Sequence, residues 1–71
     1  MSPLERAIVA VLRSQSPMAA RDVVRILEPG GWWFLDPRVY VALYRLEDMG
    51  VVTSAWLPGH YPRTRVYQVT R

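Results

Sequence analysis

With 71 residues, a net charge of +3 and no cysteine, the chain is expected to form one small domain over residues 1–71, without disulfides or thiolate metal sites. A domain this short buries only about 60% of the surface its unfolded chain exposes, so tight packing or a partner subunit is expected. A hydrophobic content of 51% sets it apart from disordered tails. No apolar run approaches the roughly 20 residues that cross a bilayer, so a cytoplasmic protein with no membrane partner is expected.

The opening stretch MSPLERAIVAVLRS starts like a signal peptide, but it carries Glu5 and lacks a small-residue cleavage site. It reads better as a helix. Ser2 is a good N-cap, Pro3 suits the first helical position, and Glu5 completes a capping box. Leu4, Ile8, Val11 and Leu12 then form an apolar stripe, which predicts a helix over residues 3–14. Ser16-Pro17 repeats the cap-plus-proline signal, and Ala20, Val23, Val24 and Leu27 supply the apolar face of a second helix. Pro29-Gly30-Gly31 ends it, because proline removes a donor and glycine frees the backbone.

Asp36-Pro37 gives the same start signal a third time. Val39, Leu43 and Leu46 share one face of the third helix, with Ala42 and Met49 flanking, and Gly50 stands where a C-terminal cap belongs. The period then changes from helical to alternating. VVTSAWL and RVYQVT read as strands, joined by PGHYPRT, in which Pro58-Gly59 suits a type II turn. The expected fold class is therefore α+β, a winged helix-turn-helix: three helices followed by a β-hairpin wing.

Charge is unevenly placed. Residues 1–57 hold six arginines and six acids, whereas residues 58–71 hold Arg63, Arg65 and Arg71 and no acid. A concentrated basic segment is an electrostatic footprint for a polyanion. All the basic residues apart from His60 are arginines, which suit phosphates and guanine edges; a GC-rich genome would also produce that bias.

Three segments in this order resemble the PadR family of winged helix-turn-helix transcriptional regulators. SPMAARDVVRILE is similar to the family's second-helix segment, through Pro17, Met18, Ala20, Val23 and Leu27. RVYVALYRLEDMGVVTSAW resembles its recognition helix and first wing strand, and PRTRVYQVT its second wing strand. The chain departs from the family at Ile26, where a polar residue is usual. It also departs at Pro37-Arg38, where the family has Gly-Thr, and at Trp32, Trp33 and Phe34, where one tryptophan is usual. The family builds its dimer on a helix beyond the wing, and this sequence ends at Arg71.

Spacing places Arg38, Val41 and Arg45 on the outer face of the third helix, with Tyr40 and Tyr44 on its flank. Arg38 can read a guanine or grip a phosphate, Val41 can touch a thymine methyl, and Tyr44 and Arg45 are better placed for phosphates. The resemblance implies Tyr40 as a DNA contact. The plainer reading is a solvated helix face with Tyr40 as a core-edge aromatic. At the wing, His60, Tyr61, Arg63 and Arg65 surround the tip, either to neutralise phosphates or as charges that stop the hairpin edge from pairing. His60 has no second histidine or nearby carboxylate, so neither a metal nor a cofactor is expected.

Trp32, Trp33 and Phe34 cannot all face one side of an extended segment, leaving three options: a core plug, a dimer or partner surface, or a small-molecule pocket. The expected function is a DNA-binding transcriptional regulator, a repressor, acting on double-stranded DNA as a homodimer. The alternative is a winged-helix protein-interaction module that uses the exposed Trp/Phe surface. An enzyme is not expected, because no nucleophile–base pair, carboxylate dyad or phosphate loop is in view.

Overall fold

A computed structural model describes residues 1–27, 36–59 and 64–70. In chain order they form α1 (Pro3–Ser14), β1 (Met18–Ala19), α2 (Ala20–Leu27), α3 (Asp36–Asp48), β2 (Val52–Trp56) and β3 (Arg65–Val69). The fold is α+β, with three helices and an antiparallel three-stranded sheet in the order β1-β3-β2. This arrangement is compatible with a winged helix.

The first helix begins where its capping signal lies. Ser2 Oγ accepts from the Glu5 backbone N–H at 3.1 Å, and the Ser2 N–H donates to Glu5 Oε1 at 2.8 Å. These two bonds satisfy donors that a helix start otherwise leaves unpaired. Ile8 and Leu12 are wholly buried, Val9 joins them, and Leu4 and Val11 pack at the edge of the core.

The second start signal reads differently in the structure. Instead of a helix opening at Ser16-Pro17, Met18 and Ala19 form a short strand that pairs with Tyr67 and Val66 of β3. The Ser16–Pro17 peptide is cis, and α2 opens only at Ala20. The pairing gives β3 a neighbour on each side, so its backbone groups are satisfied along both edges there. The sheet therefore has a third strand beyond the expected hairpin. The helical face of Ala20, Val23, Val24 and Leu27 is buried as its spacing predicts. The Pro29-Gly30-Gly31 stop and the capping role of the Asp36 side chain lie outside the described residues.

On α3, Val39, Leu43 and Leu46 are fully buried against α1 and α2, and Ala42 lies beside them. Met49 does not flank this core. It is 53% exposed, because the helix has closed and the chain is turning away. Gly50 takes φ +76°, its N–H reaches the Glu47 carbonyl at 3.0 Å, and the Val51 N–H reaches the Leu46 carbonyl at 2.9 Å. This is the Schellman closure that a C-terminal glycine permits. Thr70 then ties the end of β3 to the same corner, its hydroxyl donating to the carbonyls of Gly50 (2.9 Å) and Val51 (3.1 Å).

The strands β2 and β3 pair in register from Val52↔Val69 to Trp56↔Arg65, and beyond them the Leu57 N–H donates to the Thr64 carbonyl at 2.8 Å. Gly59 has φ +77°, the sign that the third residue of a type II turn requires. Val52 and Tyr67 close the core from the sheet side.

Candidate nucleic-acid interface

Burial of the Val39–Leu43–Leu46 face forces the opposite face of α3 outward, since side chains three and four apart share one side of a helix. Arg38 and Arg45 are exposed there, as are Val41 and Tyr44 at 57% each; Tyr40, at 39%, lies at the margin of the core. The five α3 residues expected to contact DNA thus form one continuous surface, with Arg38 in the first turn and Arg45 in the last. A cleft of about 420 Å³ runs beside it, between the start of α1 and the length of α3 from Pro37 to Arg45. Met1, Leu4, Pro37 and Val41 supply apolar walls, and Arg38 and Arg45 also line it.

The two arginines differ in environment. Arg38 has no ion pair among the described residues. Arg45 Nε lies 3.3 Å from Glu5 Oε2, in a pair that joins an exposed guanidinium (70%) to a buried carboxylate (6%). The Glu5 carboxyl is held below the usual carboxylate range, chiefly by the backbone N–H of Ser2; burial opposes this, and Arg45 adds to the lowering. Glu5 therefore stays charged at neutral pH, one oxygen on the α1 cap and the other toward α3.

Arg65 serves the wing strands differently from the expectation of a free phosphate contact. Its guanidinium sits over the Trp56 ring, 5.2 Å from the centroid. Its Nε donates to Ser54 Oγ at 2.9 Å, and Ser54 Oγ donates to Glu47 Oε2 at 2.7 Å. Arg65 Nη2 and Glu47 Oε2 are 4.0 Å apart. Arg65 thus braces both wing strands against the end of α3, and its half-exposed side chain still faces outward. Burial pushes the Tyr67 hydroxyl above its ordinary pKa, with Tyr44 nearby as the next cause, so this ring packs as a neutral group.

No protein-family model and no curated protein matches this chain. One solved structure does. Pex from Synechococcus sp. (strain PCC 7942) superposes with a TM-score of 0.68 at 27% identity, over 96% of this chain and 66% of Pex. The chain is thus similar in fold to Pex along nearly its whole length and spans just under two thirds of the length of Pex.

Among the other expected contacts, His60, Tyr61 and Arg63 lie outside the described residues. The expected partner surface of Trp32, Trp33 and Phe34 lies outside them too. Two features escaped the sequence reading. The Glu5–Arg45 pair joins residues far apart in the chain, and the capping box already accounts for Glu5 locally, so no signal pointed to its second role. The Arg65–Trp56 stack did carry a signal: both residues lie in the predicted wing strands, whose pairing sets them directly across from each other. No helix among the described residues is long and apolar enough to cross a membrane.

Proposed function

We propose that this chain is a PadR-like winged helix-turn-helix DNA-binding regulator, a repressor, that reads duplex DNA with α3 and grips phosphates with its wing. The single observation that carries this reading is the outer face of α3. Arg38, Val41 and Arg45 are exposed on a helix whose opposite face is fully buried, so its outward row is set by packing. Such a helix fits the major groove, where its first turn meets base edges and later turns meet the backbone. Arg38 is the base-reading candidate and Arg45 the phosphate candidate. Tyr40 and Tyr44 flank them, Arg65 and Arg63 supply the wing's charge, and His60 is a further candidate contact. One module of this size makes a small interface, so the proposal includes a homodimer on a two-fold site.

A second reading has its own observation. Tyr40, Val41, Tyr44 and Trp56 are all 39–57% exposed, and the first three lie together on the outer side of α3. That surface, together with Trp32, Trp33 and Phe34, would suit a protein-interaction module. A nuclear magnetic resonance titration of nitrogen-labelled protein with duplex DNA distinguishes the two. The DNA reading expects the amides of Arg38, Val41 and Arg45 to shift in a saturable manner. Shifts absent from α3, or produced by a protein partner and never by DNA, contradict it.

A further inference from the structure

We propose that Glu5 is a positioning residue: its buried carboxylate holds the Arg45 guanidinium from the Nε side and leaves both terminal nitrogens presented to a nucleic-acid phosphate. This inference rests on the DNA-binding reading of α3 and adds to it a residue on another helix. Glu5 is among the described residues the one charged side chain classed with the buried core. A buried carboxylate is costly unless it is hydrogen-bonded and paired, and Glu5 is both. Oε1 is fixed by the Ser2 N–H, so the carboxylate plane is set by the α1 cap. Oε2 is left facing Arg45 Nε at 3.3 Å. The terminal nitrogens of Arg45 have no other ion-pair partner among the described residues.

The consequence is a guanidinium restrained before any ligand arrives. An unrestrained arginine loses rotamer freedom when it grips a phosphate, and a restrained one loses less. The pair also lowers the net charge of this face, so its value lies in geometry and not in added attraction. A substitution that keeps the cap and removes the carboxylate charge separates the two effects. Glu5→Gln does this, because glutamine also completes a capping box.

The test is the affinity and salt slope of duplex binding, by fluorescence anisotropy with labelled random duplex, for wild type, Glu5→Gln, Arg45→Ala and the double variant. Affinities are compared at about 200 mM salt, where long-range charge is largely screened. The expected result is binding about two- to ten-fold weaker for Glu5→Gln in the wild-type background. Its salt slope should stay at the wild-type value, because Arg45 keeps its charge and its phosphate, whereas Arg45→Ala should lower the slope by about 0.9, the value of one phosphate contact. With Arg45→Ala already present, Glu5→Gln should weaken binding no further. Ser2→Ala is the control for helix stability: it removes the capping hydroxyl yet leaves the Glu5 carboxylate, and it should lower the melting temperature with an unchanged affinity. Wild-type binding with tighter or unchanged affinity for Glu5→Gln, or an equal loss in both backgrounds, overturns the positioning role and leaves the DNA reading standing. Absence of duplex binding by the wild type at low salt overturns both.

Discussion

Glu5 connects the start of α1 to the exposed face of α3 through one carboxylate, so its protonation state matters to stability. Its folded-state pKa is depressed, first by the Ser2 backbone N–H and then by Arg45, against the effect of burial. A depressed carboxyl contributes stability that is present above the unfolded pKa and is lost as pH falls through the folded one. The melting temperature of wild type should therefore exceed that of Glu5→Gln most clearly near neutral pH. Circular-dichroism melts should show the gap closing through the carboxylate range as the solution is acidified. Two curves that stay parallel into acid would remove the charge from the account. Arg65 makes the complementary point about reading single residues. Its place in a basic segment marked it for phosphate contact, and its side chain is in addition shared among Trp56, Ser54 and Glu47, so the charge that faces outward is held by the sheet.

At the level of elements, what was legible in the sequence was what is encoded locally. The Ser2–Glu5 capping box, the buried stripe of α3 and the Gly50 closure depend on residues within one or two turns, and each appears at its expected position. The strand at Met18–Ala19 was not legible. It exists because Tyr67 and Val66, at the far end of the chain, present a free edge to it, and two residues carry no periodicity of their own. The same limit hid the Glu5–Arg45 contact within the candidate site, while the exposure of Arg38, Val41 and Tyr44 followed directly from helical spacing. The Gly50 corner offers a clean test. A Cβ there would meet nothing within 4 Å, so any loss in Gly50→Ala comes from forcing a side chain to φ +76°. Urea unfolding should show a loss of about 1–2 kcal/mol, and Gly50→Asn should lose less because asparagine tolerates this conformation. Equal stability of Gly50→Ala and wild type would mean the closure is dispensable.

The whole molecule combines a fold similar to that of Pex with an uneven charge distribution and one exposed helix face. The net charge of +3 is small, so the proposed attraction to DNA rests on placement, with Arg38 and Arg45 on α3 and the basic residues of the wing acting together. This makes salt dependence the property that separates DNA recognition from an aromatic protein surface, because phosphate contacts release counterions and apolar contacts do not. The decisive measurement is fluorescence anisotropy of labelled random duplex DNA at about 50 mM and about 200 mM salt, on wild type and on the Arg38→Ala/Arg45→Ala variant. Binding at low salt should weaken by orders of magnitude across that range, with a shallower slope once the two arginines are gone. Absence of binding at low salt, or binding indifferent to both salt and the arginines, would contradict the DNA-binding reading and turn attention to the exposed aromatic surface.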